Sequence, residues 1–224
     1  MHGLLVIGGV GPSADVLREK ARSMDLIVAA DSGLDLAVSA GLTPNLVVGD
    51  MDSLSDASLL DRYPPQNVLR FPTDKDETDT EIGLRVMRER GCTDITVAGG
   101  GGGRIDHLLG IAALFEREAP PSAWLTDREE IFLVEKEREF EGWEGSTVSV
   151  FPVGASASHM SSAGLQWPLD GLEFRRGFAG ISNRVTGPRV VIKVGSGKVL
   201  VIRSRSDDTE RAGPNGAAYR AGDP

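Results

Sequence analysis

The feature that most constrains the fold is an alternation of short apolar runs with amphipathic segments, which continues through about residue 118. Apolar runs of this kind, most of them followed by glycine or aspartate, are typical of strands buried on both faces of a parallel sheet. The predicted strands are residues 4–7, 26–30, 46–48, 68–71 and 94–98. Strands that alternate with helices predict an α/β fold in which helices cover both faces of a parallel sheet.

Helical segments are expected between these runs. One follows Ser13, which can act as its N-cap, a second spans about residues 34–40, and a third ends near Gly91. The fourth follows a run of glycines and carries an apolar stripe of the kind that faces a protein core. The residues of this stripe are Ile105, Leu108, Leu109, Ala112 and Phe115.

The pattern changes at residues 118–121, where helical periodicity ends and short β-type runs separated by glycine-rich turns begin. We therefore predict an N-terminal parallel-sheet α/β domain at residues 1–120. A smaller C-terminal antiparallel β domain, a sandwich or a barrel, is expected at residues 121–205. The tail at residues 206–224 is polar and rich in Gly, Pro and Ala, and it is expected to be disordered.

Composition narrows the classes of protein to which the chain can belong. The net charge of −9 argues against nonspecific nucleic-acid binding and suits a cationic or metal-borne ligand. Cys92 is the only cysteine, so no intrachain disulfide can form. The N-terminus lacks the features of a signal peptide, and no run approaches the roughly 18 apolar residues of a membrane span. We expect a cytoplasmic protein without nucleic-acid or membrane partners.

Five aspartates lie on the segments that follow the third and fourth predicted strands: Asp50, Asp52, Asp74, Asp76 and Asp79. Carboxylates so concentrated repel one another unless a cation lies among them, and carboxylate oxygens are ligands that Mg²⁺ prefers. Both segments are expected at the edge of the sheet where ligands bind, beyond the carboxyl ends of the strands. Asp50 and Asp52 are two residues apart, so in extended geometry both side chains point to one side and suit a single ion. An Asp-rich turn is the alternative.

The second acidic segment also contains a helix start. Thr78 followed by Glu81 three residues later predicts a capping box, which places Asp79 in the first helical turn, where the helix dipole favours its charge. Asp76 is an alternative cap. Capping does not explain Asp74 and Asp76 together, and the two acidic segments jointly favour a metal site.

A run of five glycines at residues 99–103 precedes Arg104, Asp106 and His107 at the start of the fourth predicted helix. Backbone N–H groups at such a turn suit phosphate oxygens, and Arg104 can add a bidentate contact. A flexible turn is the alternative. His107 can be a base, a phosphate contact or a helix cap, and the sequence leaves the three roles open.

A rival interpretation comes from Gly9, Gly11 and Ala14, which follow the first predicted strand with the spacing of a dinucleotide-binding turn. Asp31 ends the next strand, where such folds place a ribose contact. This pattern supports a nicotinamide-dependent oxidoreductase. However, a site for hydride transfer does not require five clustered aspartates. Asp31 can equally hold a ribose hydroxyl of ATP.

Six motifs span about residues 26–203: Ala30-Asp31-Ser32-Gly33, Gly49-Asp50-Met51-Asp52-Ser53, Asp74-Lys75-Asp76-Glu77-Thr78-Asp79, Gly102-Gly103-Arg104-Ile105-Asp106-His107, Gly164-Leu165-Gln166-Trp167-Pro168-Leu169 and Ser182-Asn183. In this order they resemble the thiamine pyrophosphokinase (thiamine diphosphokinase) family. The resemblance implies an α/β domain, a C-terminal β-sandwich, and a homodimer with sites near the subunit interface. It also implies Mg²⁺-dependent transfer of a pyrophosphoryl group from ATP to the hydroxyl of thiamine, which releases AMP.

The resemblance also assigns roles to residues. It places Asp50, Asp52 and Asp79 around the metal and the phosphates, with Asp74 and Asp76 close by. In the expected reaction the acceptor hydroxyl attacks the β-phosphorus of ATP directly, and Asp76 or Asp79 accepts the hydroxyl proton.

The remaining assignments concern the nucleotide and the acceptor. The nucleotide side comprises Asp31, Asp74, Thr78, Gly102, Gly103, Arg104, Asp106 and His107. The resemblance implies that Trp167, Ser182 and Asn183 face thiamine, across the dimer, and an indole suits a cationic heterocycle. The alternatives are transfer to another alcohol such as a hydroxymethylpterin, the oxidoreductase, and a non-enzymatic regulator with a decayed site.

Overall fold

The computed structural model describes residues 1–205, and the tail expected to be disordered lies outside the described residues. The chain divides into two compact units, the first being Met1–Asp127 and the second beginning at Arg128. The strand Ala123–Leu125, which the sequence places in the second domain, lies in the first unit. The reason is its parallel pairing with Asp94–Ala98.

The described residues of the first unit form six strands and four α-helices. The strands are β1 His2–Ile7, β2 Leu26–Ala30, β3 Leu46–Gly49, β4 Val68–Arg70, β5 Asp94–Ala98 and β6 Ala123–Leu125. The helices are α1 Ala14–Ala21, α2 Gly33–Ser39, α3 Asp79–Glu89 and α4 Ile105–Ala113. Short 3₁₀ turns occur at Ala57–Arg62, Pro65–Asn67 and Leu114–Glu116.

The six strands form a parallel sheet in the order β6-β5-β1-β2-β3-β4. The chain runs outward from β1 to β4 and then returns to the other side of β1 with β5. This reversal creates a topological switch point between β1 and β5, the position at which open α/β sheets bind ligands. The predicted parallel-sheet α/β architecture is confirmed.

The apolar strand runs are buried as predicted. Leu4, Leu5 and Val6 of β1 and Val28 of β2 have no exposed surface. Full burial of such a side chain is worth roughly 1.5–3 kcal/mol, so these strands anchor the unit. No helix among residues 1–205 has the length and apolar character needed to cross a bilayer.

Helix α4 departs from its prediction. Phe115, just beyond its end, is fully buried and Ile111 nearly so, but Ile105 and Leu109 are 74% and 65% exposed. The predicted apolar stripe therefore enters the core only towards the C-terminal end of the helix. The first turns of α4 stand free of the core, beside the glycine run.

The second unit is built from antiparallel strands. Its described strands are β7 Glu129–Val134, β8 Glu137–Glu141, β9 Thr147–Ser158, β10 Ser161–Ala163, β11 Phe174–Arg175, β12 Gly180–Arg184, β13 Arg189–Lys193 and β14 Ser196–Ser204. One sheet has the order β11-β9-β14-β7 with β12 also on β9, and the other has the order β10-β13-β8. Residues of both sheets, among them Val150, Ile192 and Val201, share one buried cluster. The unit is a sandwich, as the family resemblance implies.

The predicted capping box at the start of α3 is present. Thr78 Oγ1 accepts a hydrogen bond from the Glu81 N–H at 3.3 Å, and Glu81 Oε2 accepts one from the Thr78 N–H at 2.7 Å. Burial opposes ionisation of Glu81, but the hydrogen bonds from Thr78 and the ion pair with Arg117 outweigh it and lower the pKa of the Glu81 carboxyl. The box fixes the position at which Asp79 enters the helix. By contrast, Ser13 stands at the N-cap of α1 without a capping hydrogen bond from its side chain.

Replacing Thr78 with alanine removes the N-cap acceptor of α3. We expect Thr78→Ala to lower the free energy of unfolding by about 1 kcal/mol, measured by urea denaturation. Thr73→Ala is the matched control, because Thr73 is exposed and precedes the helix. Equal stability of the two variants would contradict the capping role.

The loops after β1 and β5 are joined at the switch point. Val10 N–H donates to Gly101 O and Gly101 N–H donates to Val10 O, both at 2.8 Å. A Cβ added at Gly101 would lie 2.7 Å from Val10 O and 2.7 Å from Asp127 Oδ1. At Gly103 the nearest atom would be Gly101 O, at 3.7 Å. Of these two glycines, only Gly101 is required by the close approach of the backbone.

This difference gives a matched pair of substitutions. Gly101→Ala is expected to destabilise the protein by about 1–3 kcal/mol, because the added methyl group forces the two loops apart. Gly103→Ala is expected to change stability far less. Urea denaturation of both variants checks the prediction, which fails if Gly101→Ala is as stable as Gly103→Ala.

Candidate active site

A cleft of about 690 Å³ opens in the first unit at the carboxyl ends of the strands. Its walls come from the loops that follow β1, β2 and β5 and from the first turns of α3 and α4. The residues at these places are Gly8, Gly9, Asp31, Ser32, Thr78, Asp79, Gly100, Gly101, Gly103, Arg104, Asp106 and His107. The cleft therefore lies at the topological switch point that the sheet order defines.

Three aspartates converge at this edge. Asp31 ends β2, Asp50 follows β3, and Asp79 opens α3, and one carboxylate oxygen of each lies within 4.8 Å of those of the other two. We call these three residues the aspartate triad. Gly49 makes the approach possible, since a Cβ there would lie 3.1 Å from Asp79 Oδ1.

The backbone is strained at two positions beside the triad. Asp31 has φ 47° and Met51 has φ 69°, values in the left-handed region that non-glycine residues rarely adopt. Strain of this kind costs on the order of 1–3 kcal/mol per residue and persists only where the surroundings enforce it. Here it turns the chain after β2 and after β3, next to the residues that supply two of the three carboxylates.

Lys75 pairs with the triad. Its Nζ donates to Asp50 Oδ2 at 3.0 Å and lies 3.3 Å from Asp79 Oδ1, an ion-pair contact without hydrogen-bond geometry. The hydrogen bond from Lys75 lowers the pKa of the Asp50 carboxyl. Burial is the largest influence on Asp79 and raises its pKa, and the charges of Asp50 and Asp31 add to the rise.

The triad fits a divalent cation. Among the residues that the structure describes, two buried side-chain oxygens have no hydrogen-bond partner, and they are Asp31 Oδ1 and Asp79 Oδ1. Buried polar atoms are otherwise nearly always satisfied. Converging carboxylates, two of which have an oxygen without a hydrogen-bond partner, are the kind of ligand that Mg²⁺ prefers.

The structure brings together only part of the predicted acidic set. Asp50 and Asp79 belong to the triad, whereas Asp52, Asp74 and Asp76 are exposed. Asp52 accepts a hydrogen bond from Ser53 Oγ at 2.9 Å, and its N–H donates to Asp50 Oδ1 at 3.3 Å. Its role as a metal ligand stays a prediction.

The glycine run and the start of α4 form the opposite wall. Arg104 occupies the N-cap position without a capping hydrogen bond from its side chain. Its guanidinium pairs with Asp106, with Nε donating to Oδ1 at 3.1 Å. His107 is exposed and lines the cleft, as do Arg104 and Asp106, whereas Gly102 does not. The cleft thus has an acidic end and a wall formed by glycines of the run, the start of α4 and Arg104.

Two residues of this region had no assigned role from the sequence. Lys75 was visible within the acidic motif, four residues before Asp79, a spacing that suits an ion pair. Arg117 lines the cleft and pairs with Glu81. The sequence does not indicate that Arg117 pairs with Glu81, because the two residues are 36 positions apart in the chain.

The residues expected to face thiamine lie in the second unit. Asn183 is buried, and its side chain holds the backbone of Trp167: Oδ1 accepts from Trp167 N–H at 3.1 Å and Nδ2 donates to Trp167 O at 2.6 Å. The indole of Trp167 is 50% exposed. Ser182 is exposed and has φ 60°. The arrangement presents an aromatic face to solvent on a fixed backbone.

Comparison with known proteins adds to this geometry. The family model described as thiamin pyrophosphokinase, catalytic domain, matches residues 17–121, and the model described as thiamin pyrophosphokinase, vitamin B1 binding domain, matches residues 130–199. Thiamine pyrophosphokinase of Bacillus subtilis (strain 168) is 24% identical over 193 residues, which cover 80% of this chain and 87% of the relative.

Solved structures agree in fold. Thiamin pyrophosphokinase from Geobacillus thermodenitrificans is 25% identical with a TM-score of 0.75, and the match covers 92% of this chain and 99% of that one. Thiamin pyrophosphokinase from Candida albicans is 16% identical with a TM-score of 0.70, covering 91% of this chain and 89% of that one; at this identity the likeness concerns the fold alone. Because the two family models bear the same name and together match most of the chain, the chain belongs to the thiamin pyrophosphokinase family.

Proposed function

We propose that the cleft of the first unit holds ATP and Mg²⁺ during the reaction of this family, the transfer of a pyrophosphoryl group from ATP to thiamine. The hydroxyl oxygen of thiamine forms a bond to the β-phosphorus, the bond from that phosphorus to the α-phosphate oxygen breaks, and the products are thiamine diphosphate and AMP. The observation that carries the proposal is the aspartate triad. Asp31 and Asp79, which have the two unpartnered buried oxygens, line the same cleft as glycines of the run.

The triad supplies the acidic end of this arrangement. Asp31, Asp50 and Asp79 would hold Mg²⁺, and the sequence adds Asp52 from the neighbouring loop. When bound, the ion screens the triphosphate charge and stabilises the departing AMP. Because Asp31 belongs to the triad, a role as a ligand of the cation is favoured over the contact to a ribose hydroxyl that the sequence suggested.

The opposite wall suits the phosphates. Gly100 and Gly101 already donate their N–H groups to Gly8 O and Val10 O. The donors expected for phosphate are therefore the N–H groups of the first turn of α4, where the positive end of the helix dipole favours an anion. Arg104 is mostly exposed, so its guanidinium can exchange Asp106 for a phosphate at little desolvation cost. His107 stays a candidate phosphate contact on this wall.

The proton of the thiamine hydroxyl requires an acceptor. Asp79 lines the cleft, as a group that accepts this proton must. Asp76, the other candidate, is exposed and does not line the cleft. The geometry favours Asp79.

The acceptor site is proposed in the second unit. The exposed indole of Trp167 offers its face to the cationic ring of thiamine. Asn183 uses its side chain on the backbone of Trp167, so its part in binding is to orient the indole. The homodimer and the cytoplasmic location stay predictions, and so does the role of Ser182.

The alternatives are less well supported. Both family models name thiamin pyrophosphokinase, which favours thiamine over a pterin and over hydride transfer. The glycine spacing that suggested a dinucleotide site has a packing reason, since a Cβ at Gly11 would lie 2.4 Å from Leu36 Cδ2. A decayed site is hard to reconcile with an aspartate triad at metal-binding separation.

The reaction itself provides the first test. Purified protein incubated with ATP, Mg²⁺ and thiamine should produce thiamine diphosphate and AMP in equal amounts, resolved by chromatography. A hydroxymethylpterin offered in place of thiamine should give no product. Release of ADP would indicate transfer of a single phosphoryl group, and turnover with the pterin alone would exclude thiamine as the acceptor.

Removal of one triad charge tests the proposed cation site. Asp50→Asn should reduce kcat by about 10²-fold or more, because the neutral amide is a poor ligand for Mg²⁺. Asp61→Asn, which changes an exposed aspartate in a 3₁₀ turn, is the matched control. Circular dichroism confirms that both variants are folded. Near-normal turnover of Asp50→Asn would defeat the assignment.

A further inference from the structure

The ammonium group of Lys75 contacts two of the three carboxylates that would hold the metal ion. Its Nζ is 3.0 Å from Asp50 Oδ2 and 3.3 Å from Asp79 Oδ1, and the side chain is only 15% exposed. The carboxylates on either side of it are also largely buried, Asp50 at 11% and Asp79 at 24% exposed. Weak solvent screening makes this contact stronger than a surface ion pair.

We propose that Lys75 is an internal counter-cation of the triad, which occupies the cation position in the free protein and yields it when a divalent ion binds. The inference rests on the proposed function, because it requires the triad to be the metal site. Lys75 is here a positioning residue that acts through Asp50 and Asp79.

Electrostatics supports the resident role. One ammonium does not neutralise three converging carboxylates, and Asp31 Oδ1 and Asp79 Oδ1 still lack hydrogen-bond donors. Without Lys75 the mutual repulsion of the triad would be larger still. Lysine also suits the task chemically, because its ammonium is a compact, strongly hydrated point charge on a flexible stem.

The same geometry supports displacement. A divalent ion bound to Asp50 Oδ2 and Asp79 Oδ1 would contact the oxygens that Lys75 now contacts. Two cations at those distances repel each other strongly, so the ammonium has to withdraw as the ion enters. Lys75 belongs to the loop that precedes α3 and lies outside regular structure, so its side chain can turn without unfolding the helix.

If Lys75 competes with the divalent ion, removal of its charge should increase the affinity for that ion. Lys75→Met removes the resident cation and keeps the length of the aliphatic stem. We expect it to bind Mn²⁺, in the absence of nucleotide, about tenfold or more tightly than the wild type in isothermal titration calorimetry. We also expect a lower Tm without metal and a larger Tm rise on addition of Mn²⁺. A merely structural lysine would lower Tm in both states and would leave the affinity for Mn²⁺ unchanged or weaker.

Two further variants keep the test decisive. Lys75→Arg retains the charge and should keep an affinity near that of the wild type, and Lys75→Gln repeats the measurement if the methionine variant does not fold. Unchanged or weaker binding of Mn²⁺ by both neutral variants would overturn the inference while leaving the proposed function intact. If the wild type binds no Mn²⁺, or if Asp50→Asn binds it equally well, the metal site itself is wrong and the inference falls with it.

Discussion

Repulsion among the carboxylates of Asp31, Asp50 and Asp79 is the constraint on which the functional edge of the first unit depends. Three carboxylates that each place an oxygen within 4.8 Å of the others repel one another unless positive charge lies among them. In addition, Asp31 Oδ1 and Asp79 Oδ1 are buried without a hydrogen-bond partner. In the free protein Lys75 supplies part of that charge. The proposed Mg²⁺ would supply the rest. Because binding of the ion would relieve the repulsion among the carboxylates that the fold holds together, that repulsion would strengthen the affinity for the ion.

The surrounding fold holds the triad against this repulsion. Gly49 leaves room for Asp79, the capping box of Thr78 and Glu81 sets where the helix begins, and the left-handed backbone of Asp31 turns its carboxylate to the same point. Each of these features lies at or beyond the carboxyl end of a strand, the edge at which open α/β sheets bind ligands. Across the cleft, the paired Val10 and Gly101 backbones hold the glycine run in place. One edge thus carries both the proposed cation site and the wall proposed to bind phosphates, as a nucleoside triphosphate requires.

The second unit carries the acceptor site that we propose, which is of a different kind. The core of its sandwich is apolar. The candidate contact for thiamine is the exposed indole of Trp167, whose backbone is held by the side chain of Asn183. Both residues were singled out through the family resemblance as contacts for thiamine. In the structure the side-chain amide of Asn183 is already engaged by the protein, and the part that we propose for it in binding is therefore indirect. Its buried position explains how an aromatic side chain can stay exposed and still be well oriented.

Local information was enough for much of this protein. Strand and helix positions follow from hydrophobic periodicity, and the capping box and the acidic motifs depend on residues a few positions apart. The sequence by itself therefore determined the α/β class and the presence of Asp50 and Asp79 at the edge of the sheet where we propose that ligands bind. Only the tertiary structure decided that Asp31 completes the triad, that Lys75 lies among the carboxylates and that Ile105 and Leu109 of α4 remain exposed. These outcomes depend on which loops meet and on how far a helix leans onto its sheet. Such contacts join residues distant in the chain, and no local pattern records them.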